Sequence, residues 1–176
     1  MTSMPNFNQT ILVLGGARSG KSQHAQKLAE DARPRRTFIA TAEMLDDEMS
    51  ERIARHRADR GEAWHSVEAP ISLCAAIEQE CAEQRSVLVD CLTLWLSNIM
   101  HAEFDVDDEV HRLAKTVQVV STPLIIVSNE VGMGIVPETP LGRKFRDAQG
   151  RLNQALCQAC DRVDFVAAGL PLRLKG

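Results

Sequence analysis

Residues 11–22 read Ile11-Leu12-Val13-Leu14-Gly15-Gly16-Ala17-Arg18-Ser19-Gly20-Lys21-Ser22, a short apolar run followed by a glycine-rich turn. The last eight residues match the pattern G-x-x-x-x-G-K-[ST] at every fixed position. Glycine lets consecutive backbone N–H groups approach phosphate oxygens without a clashing Cβ, and the N-terminus of a following helix adds positive potential. The stretch therefore predicts a phosphate-binding loop (P-loop) between a buried strand and a helix, and with it a nucleoside-triphosphate site.

Three side chains are candidates for the phosphate chemistry. Lys21 is long enough to reach the β- and γ-phosphates, and the hydroxyl of Ser22 is a suitable ligand for Mg²⁺. Asp90 ends the apolar run that begins at Val87, and a carboxylate at the end of a neighbouring strand can hold or position the same metal. We therefore expect Lys21 to act in catalysis and Ser22 and Asp90 to bind Mg²⁺.

Apolar runs alternate with helical patterns along the rest of the chain. Strands are predicted at residues 11–14, 37–41, 64–67, 86–90, 123–128 and 163–168. Helices are predicted at residues 21–32, 46–60, 70–84, 92–100, 106–120 and 141–160, and a short tail at residues 170–175. Strands that are apolar throughout favour a parallel sheet covered by helices on both faces. We therefore predict a single α/β domain of the P-loop NTPase (RecA-like) class over residues 9–176, preceded by a frayed or disordered arm at residues 1–8.

Composition excludes several classes of protein. The 176 residues are 44% hydrophobic with a formal net charge of −4, which suffices for one core and argues against wholesale disorder. An acidic chain has no overall field for nucleic acid or anionic membrane, and no apolar run is long enough to span a bilayer. The first residues lack the pattern of a signal peptide, so we expect a cytoplasmic protein with reduced thiols. Cys157 and Cys160 are interpreted as small core-facing helix residues rather than a zinc or redox pair.

The classes of P-loop protein can be narrowed further. A signalling GTPase would carry D-x-x-G and N-K-x-D, but residues 90–93 read Asp-Cys-Leu-Thr and residues 129–132 read Asn-Glu-Val-Gly. A motor or transporter ATPase normally needs a larger chain with coupling elements. A chain of this size is therefore interpreted as a small-molecule kinase or a nucleotidyl transferase.

Several further motifs point to one family. They are Gly15–Ser22, Ile39-Ala-Thr41, Asp46-Asp-Glu-Met49 with Arg52-Ile53 and His56, Leu92-Thr93 with Leu96-Ser-Asn98, Asn129-Glu-Val-Gly-Met-Gly-Ile-Val-Pro-Glu138, and Phe145-Arg-Asp147 with Gly150-Arg151 and Asn153-Gln154. Together they resemble the bifunctional adenosylcobinamide kinase / adenosylcobinamide-phosphate guanylyltransferase family of cobalamin assembly. The resemblance extends from Ile11 to Gly169, and its block at residues 129–138 is the most specific because no general rule for P-loops predicts it.

The resemblance implies two reactions. A nucleoside triphosphate, ATP or GTP, phosphorylates the hydroxyl of the aminopropanol arm of adenosylcobinamide, and GTP then gives adenosylcobinamide-GDP and pyrophosphate. The second reaction passes through a GMP-histidine intermediate, which the matching motif places at His56. A neutral imidazole is a competent nucleophile near neutral pH. The remaining histidines (His24, His65, His101 and His111) are interpreted as structural or surface residues.

The resemblance also implies a set of nucleotide contacts. They are Gly15, Gly16, Ala17, Arg18, Ser19, Gly20, Lys21, Ser22, Ala40, Thr41, Ala42, Arg57, Ala58, Asp59, Arg60, Glu68 and Asp90. For Glu68 we add the hypothesis that its carboxylate accepts the N1–H and N2–H of guanine. The arginines that flank His56 either stabilise crowded phosphates or form a solvated helix face.

The corrinoid pocket and the assembly are inferred in the same way. The pocket is expected at residues 129–138 and 145–151, across a subunit boundary if the chain forms the homotrimer that the resemblance implies. The sequence leaves open whether the helix carrying His56 moves to the α-phosphate or GTP binds differently in the two reactions. Two other functions also stay open, a P-loop kinase without guanylyl transfer and a nucleotide-binding regulatory module; the missing switch motifs argue against the module.

Overall fold

The apolar runs of the sequence pair into one seven-stranded sheet in a computed structural model that describes residues 8–42 and 63–176. The strands, numbered along the chain, are β1 (Thr10–Gly15), β2 (Arg36–Ala40), β3 (Trp64–Glu68), β4 (Ser86–Asp90), β5 (Leu124–Asn129), β6 (Arg162–Ala167) and β7 (Leu170–Lys175). Their spatial order is β3-β2-β4-β5-β1-β6-β7, and every neighbouring pair is parallel except β6 and β7. The predicted mostly parallel α/β sheet is confirmed.

Helices cover both faces of the sheet. On one face, α1 (Lys21–Ala32) packs through Ala25 and Ala29 onto apolar residues of the central strands. On the other face lie α2 (Leu73–Ala82), α3 (Leu92–His101), α4 (Val106–Val119) and α5 (Pro140–Ala159). This second face holds the larger cluster of buried side chains, and Trp95 is the largest fully buried side chain in it.

The strand that leads into the P-loop is central and is held by distant parts of the chain. β1 lies between β5 and β6, and Gly15 at its end is the register partner of both Asn129 and Val166. At its start, Thr10 N and Oγ1 donate to Asp161 Oδ2 at 2.9 and 3.0 Å, and Asp161 N donates to Thr10 Oγ1 at 3.0 Å. Both ends of β1 are therefore fixed by residues from the last third of the chain.

The C-terminal residues correct one prediction. Residues 170–175, predicted as a short tail, form β7, which pairs antiparallel with β6. Ala168 and Gly169 make the connecting turn with φ values of 51° and 80°, the conformation of a two-residue type I′ hairpin. Every residue of β7 is exposed, so the segment lacks the continuous apolar character by which the other strands were predicted. Its Pro171 suits an edge strand, where no ladder donor is needed on the outer side.

The other predicted elements within the described residues are present with small shifts of their ends. The largest shift is in α2, predicted at residues 70–84 and observed at Leu73–Ala82, because the chain turns at residues 70–72 before the helix begins. The predicted helix at residues 46–60 and residues 1–7 of the predicted N-terminal arm lie outside the described residues. No helix in the described part of the chain combines the length and apolar character needed to cross a bilayer.

Candidate active site

The predicted P-loop connects β1 to α1. Gly15 is the last residue of β1, and Lys21 is the first of α1. Gly20, directly before the helix, has a φ of 93°, in the left-handed region that favours glycine. Lys21 Nζ donates a hydrogen bond to the carbonyl oxygen of Gly16 at 3.1 Å. The ammonium group therefore lies across the loop that is expected to hold the phosphates.

Close contacts explain the two fixed glycines of the motif. A Cβ on Gly15 would lie 2.6 Å from the carbonyl oxygen of Val166, and a Cβ on Gly20 would lie 3.1 Å from Gly169 Cα. By contrast, a Cβ on Gly16 would meet nothing within 4 Å. The steric demand therefore falls on the two positions that the motif fixes and spares Gly16, which the motif leaves variable.

The turn between β6 and β7 supports this loop from outside. Gly169 N donates to the carbonyl oxygen of Ser19 at 2.8 Å, and Gly169 also lines the adjoining cavity. The Ser19 hydroxyl is buried without a hydrogen-bond partner among the described residues. The C-terminal hairpin is thus part of the wall of the loop, which the prediction of a tail missed.

A cavity of about 1090 Å³ opens beside the loop, between α1 and the carboxyl ends of β2, β4 and β5. Ligands of open α/β sheets bind at this edge, and the volume is ample for a nucleoside triphosphate. The predicted site residues that line it are Gly20, Lys21, Ser22, Ala40, Ala42 and Asp90. The fold therefore brings the lysine, the hydroxyl and the strand-end carboxylate to one space.

The alternation of side chains along the strands explains why these ends face the cavity. Phe38 in β2 and Leu88 in β4 lie on the α1 face of the sheet, so Ala40 and Asp90, each two residues further on, lie on that face too. Glu68, the predicted guanine contact, ends β3 as the register partner of Ala40 and is exposed. Glu68 is not among the described residues that line the cavity.

Thr41 has a contact that the sequence did not reveal. Its side chain is fully buried, its hydroxyl donates to the carbonyl oxygen of Cys91 at 2.7 Å, and Cys91 N donates back to Thr41 Oγ1 at 2.9 Å. Asn98 Nδ2 donates to the carbonyl oxygen of Thr41 at 2.8 Å. Thr41 therefore fixes the spacing between the ends of β2 and β4, where Ala40 and Asp90 lie.

The predicted catalytic histidine, His56, lies outside the described residues. So do the predicted nucleotide contacts that follow it in the sequence, which are Arg57, Ala58, Asp59 and Arg60. In the loop itself, Ala17 and Arg18 are exposed, and Arg18 has a φ of 56°.

A buried carboxylate ties α1 to the C-terminal hairpin. Asp164 in β6 is 1% exposed, and His24 Nε2 of α1 lies 2.8 Å from its Oδ2. Arg162 donates to both carboxylate oxygens at 3.0 and 2.6 Å, and Arg173 of β7 donates to Oδ1 at 2.5 Å. Burial alone would raise the pKa of Asp164, but the hydrogen bonds from Arg162, His24 and Arg173 outweigh burial and lower it to about 2. Asp164 is therefore ionised throughout the physiological range.

The cysteines show no sign of a metal or redox site in the described residues. All five thiols are free, and no group of three or more His, Cys, Asp or Glu side chains there is placed to hold a metal. Burial raises the pKa of Cys160 to about 12, and burial also raises the pKa of the half-buried Cys157. Neither thiol is poised as a thiolate.

His24 and Asn129 are among the residues of the cavity that were not predicted as nucleotide contacts. His24 lies three residues after Lys21 and was interpreted as structural or surface, and Asn129 ends β5. The sequence did carry a signal for Asn129, because a polar residue directly after an apolar strand is the same signal that identified Asp90. His24 had no such signal, since its partner Asp164 is 140 residues away.

Ser22 and Asp90 form a donor set that fits Mg²⁺. Both line the cavity beside Lys21, and a hydroxyl and a carboxylate are the hard oxygen ligands that this ion takes in phosphate sites.

The sheet order, the P-loop and the strand-end carboxylate define a P-loop NTPase. Solved structures with the same fold include the flagellar accessory protein FlaH from Methanocaldococcus jannaschii, with a TM-score of 0.53 and 14% identity over 95% of this chain and 78% of that one. The RadB recombinase has a TM-score of 0.50 and 13% identity, over 89% of this chain and 73% of that chain. At such identities the likeness shows the fold alone.

Sequence comparison defines the family. The family described as cobinamide kinase / cobinamide phosphate guanyltransferase matches residues 11–174, and the chain belongs to it. It is similar to the bifunctional adenosylcobalamin biosynthesis protein CobP of Pseudomonas aeruginosa, with 44% identity over 94% of this chain and 96% of the relative. The bifunctional protein CobU of Salmonella typhimurium is 40% identical over 94% of this chain and 99% of the relative. The resemblance found in the motifs is confirmed, and the chain is an enzyme of a family that combines a kinase with a guanylyltransferase.

Proposed function

We propose that this chain phosphorylates the hydroxyl of the aminopropanol arm of adenosylcobinamide and then transfers GMP from GTP onto the new phosphate. One observation carries the proposal: Lys21 of the P-loop and the strand-end Asp90 line one cavity, in a member of the cobinamide kinase / cobinamide phosphate guanyltransferase family. The names of the relatives, which are bifunctional adenosylcobalamin biosynthesis proteins, support the pairing of the two activities.

In the kinase step, ATP or GTP occupies the cavity with its phosphates on the backbone of residues 15–22. Lys21 places its ammonium on the β- and γ-phosphates, and Ser22 and Asp90 would hold Mg²⁺, which when bound neutralises charge on the phosphates. The substrate hydroxyl oxygen bonds to the γ-phosphorus while the bond from that phosphorus to the β–γ bridging oxygen breaks. The hydroxyl proton leaves to water, and the products are a phosphate ester and a nucleoside diphosphate.

In the second step, an imidazole nitrogen of His56 attacks the α-phosphorus of GTP and pyrophosphate leaves. A phosphate oxygen of adenosylcobinamide phosphate then attacks the same phosphorus, the P–N bond breaks, and His56 is regenerated as adenosylcobinamide-GDP forms. A neutral imidazole suits this task because it is nucleophilic near neutral pH and its phosphoramidate is labile. The family pattern is the support for His56 in this role.

The remaining nucleotide contacts are proposed on the same basis. They are the other P-loop residues, Ala40, Thr41, Ala42, Arg57, Ala58, Asp59, Arg60 and Glu68. Ala40 and Ala42 lie on the cavity wall. The buried hydroxyl of Thr41 already donates a hydrogen bond to Cys91, so the proposed contact of Thr41 with the nucleotide does not use this hydroxyl. Glu68 is proposed to accept hydrogen bonds from guanine and so to make the site selective for GTP over ATP.

The corrinoid is proposed to bind near residues 129–138 and 145–151, across the boundary between subunits of a homotrimer in the cytoplasm. Exposed apolar side chains support a contact at this loop, since Met133 is 80% exposed, Ile135 is 96% and Val136 is 56%. Exposed apolar side chains grouped in one segment mark a binding surface. The five free thiols agree with a reducing compartment.

The function is tested with two labels in the intact protein. With adenosylcobinamide, Mg²⁺ and ATP labelled at the γ-phosphate, the label is expected to appear in the corrinoid. With GTP labelled at the α-phosphate, an acid-labile label is expected on the denatured protein, and addition of adenosylcobinamide phosphate is expected to discharge it.

Matched histidine variants separate the alternatives. His56→Ala is expected to abolish the protein-bound label and to leave the kinase step unchanged. His111→Ala, at an exposed histidine, is expected to change neither. A wild type that phosphorylates the corrinoid but never binds GMP covalently would show a kinase without guanylyl transfer. A wild type with neither activity would show a nucleotide-binding module.

A further inference from the structure

A second cavity lies behind the P-loop, on the face of the sheet opposite the nucleotide cavity. It is a groove of about 550 Å³ between α5 and the carboxyl ends of β1 and β5, and we call it the α5 groove. Leu14, directly before the P-loop, lines it and belongs to the core cluster of the α5 face. Neither proposed reaction step uses this groove.

The two cavities meet at the end of β5. Asn129 lines the nucleotide cavity, and the next residue, Glu130, lines the α5 groove. Their Cα atoms are only about 3.8 Å apart, the spacing of consecutive residues. Glu130 N also donates to the carbonyl oxygen of Gly15 at 3.1 Å, which joins this rim to the P-loop. A ligand whose body lies in the α5 groove therefore needs to extend only a side arm over the rim to reach the nucleotide cavity.

A buried polar network holds α5 against the end of β5. Asn153 Oδ1 accepts hydrogen bonds from Ser128 Oγ at 2.7 Å and from Gln149 Nε2 at 3.0 Å, and Asn153 Nδ2 donates to the carbonyl oxygen of Asn129 at 3.0 Å. The side chains of Ser128, Gln149 and Asn153 are all buried. Buried hydrogen-bond networks make the parts that they join rigid. The groove is thus preformed, which reduces the ordering cost of binding a ligand.

Gly150 lies in the middle of α5 and lines the groove. A Cβ added to it would meet nothing within 4 Å, so no contact with a described residue requires glycine here. Glycine destabilises a helix interior relative to alanine, and one of its uses is to let another molecule approach the backbone closely. The missing Cβ therefore suits the close approach of a group from outside the chain.

The exposed wall of the groove carries two primary amides. Gln154 and Gln158 lie about one turn apart on α5, and both line the groove. Both are exposed, and neither side chain has a hydrogen-bond partner in the part of the chain that the structure describes. Leu14, Ala155 and Cys157 contribute apolar surface to the same groove. Apolar surface edged by amides fits a ligand with an apolar body and primary carboxamides at its periphery.

We propose that the α5 groove binds the edge of the corrin ring of adenosylcobinamide, with Gly150 admitting the ring edge and Gln154 and Gln158 pairing with peripheral carboxamides. This inference rests on the proposed function. A cobinamide combines an apolar macrocycle with primary amide side chains, and two primary amides pair through two N–H···O hydrogen bonds. With the macrocycle in the groove, the aminopropanol arm crosses the rim at Glu130 and presents its hydroxyl to the γ-phosphate.

Gly150→Ala is the sharpest test, because stability and substrate binding are expected to change in opposite directions. The added methyl group has free space and favours the helix, so the urea midpoint is expected to rise. KM for adenosylcobinamide in the kinase reaction is expected to rise about 5-fold, and about 20-fold or more in Gly150→Leu, because the side chain takes the space of the ring edge. The kinase kcat and the Kd for GDP are expected to stay within about 2-fold, since this contact is equal in the ground and transition states.

Gln154→Ala and Gln158→Ala test the amide contacts. Each is expected to raise KM for adenosylcobinamide by about 5- to 10-fold, the usual net value of one or two hydrogen bonds. KM for ATP and the urea midpoint are expected to match wild type, because neither side chain contributes a hydrogen bond to the fold. Gln118→Ala, at an exposed amide of α4, is the matched control and is expected to change none of these quantities.

Three results would contradict the assignment. A KM for adenosylcobinamide within about 2-fold of wild type, in Gly150→Leu and in the double variant Gln154→Ala, Gln158→Ala, would overturn it. A lower molecular mass of Gly150→Leu in light scattering would show that the groove is a contact between copies of the chain instead. A rise in KM for ATP equal to that for the corrinoid would place the effect in the nucleotide cavity. A wild type that binds GDP but transfers no phosphate to adenosylcobinamide overturns the proposed function itself, so the two failures are distinguishable.

Discussion

The Thr41 hydroxyl and the Cys91 backbone exchange two hydrogen bonds, in which Thr41 Oγ1 donates to Cys91 O at 2.7 Å and accepts from Cys91 N at 2.9 Å. Thr41 follows the last residue of β2, and Cys91 follows the last residue of β4. One buried hydroxyl therefore joins the ends of the two strands that carry Ala40 and Asp90 to the cavity.

Replacing Thr41 with valine keeps the shape of the side chain and removes this link. The backbone N–H and C=O of Cys91 would then both lose a buried partner, so we expect the free energy of unfolding to fall by about 2 kcal/mol. Urea denaturation measures the change. Thr122→Val is the matched control, because the Thr122 hydroxyl is buried without a hydrogen-bond partner among the described residues, and its loss is expected to be neutral or stabilising. Equal effects of the two substitutions would contradict the role given to Thr41.

Asp164→Asn is expected to lower the free energy of unfolding at neutral pH by about 3 kcal/mol, because Arg162 and Arg173 lose their common counter-charge. The pKa of Asp164 is lowered to about 2 in the folded protein, below that of an unfolded carboxyl. Its contribution is therefore complete above about pH 5 and is lost as the pH falls towards 2, a difference of about 2 kcal/mol.

Urea denaturation of wild type and Asp164→Asn at pH values between about 7 and 2.5 tests this sign. The difference in free energy of unfolding between wild type and Asp164→Asn is expected to become smaller as the pH falls. Asp147→Asn is the control, since Asp147 pairs with Arg146 while 57% exposed, and exposed pairs contribute little. A gap that is independent of pH would show that the charge of Asp164 is not what stabilises the fold.

Lys21 and Lys27 provide a matched pair on one helix, since both line the cavity. Lys21→Ala is expected to lower the kinase rate by about 100-fold or more, because the charge over the β- and γ-phosphates is lost. Lys27 forms an exposed ion pair with Asp31 at 2.8 Å, and Lys27→Ala is expected to leave the rate within about 2-fold. Steady-state kinetics with ATP and adenosylcobinamide measure both. A comparable loss in the two variants would point to the general positive potential of the helix rather than to the loop lysine.

The three glycines of the loop make a graded series. Gly15→Ala and Gly20→Ala are both expected to weaken GDP binding by about 10-fold or more, since the first meets a backbone oxygen at 2.6 Å and the second adds a side chain at a φ of 93°. Gly16→Ala meets nothing within 4 Å and is expected to leave the Kd for GDP within about 3-fold. Isothermal titration with GDP ranks the three, and a reversed order would refute the steric account.

The parts of the site that depend on a local sequence pattern could be predicted from the sequence. A continuous apolar run predicted β1, β4 and β5 to within one residue at each end, and Asp90 was identified because it ends such a run. The P-loop motif placed Lys21 at the start of a helix, as observed.

Features that depend on contacts between residues far apart in the sequence could not be predicted from the sequence. The order of the strands was not predicted, and the partner of His24 is 140 residues away in sequence. The sequence pattern of β7 predicts a tail rather than a strand, because a fully exposed edge strand has no buried face and so no periodic apolar residues. The family resemblance supplied His56, which no property of a charged helical segment would have distinguished, and that assignment stays a prediction.

The position of β1 has a consequence for synthesis of the chain. The strand that carries the P-loop is made before both of its neighbours in the sheet, β5 and β6. Its first residue is tied to Asp161, 151 positions later, and Ser19 of the loop is held by Gly169. The nucleotide site is therefore finished only after β6 and the turn at Gly169 have been made, so nucleotide cannot assist the folding of the segments made before them and can only stabilise the completed sheet.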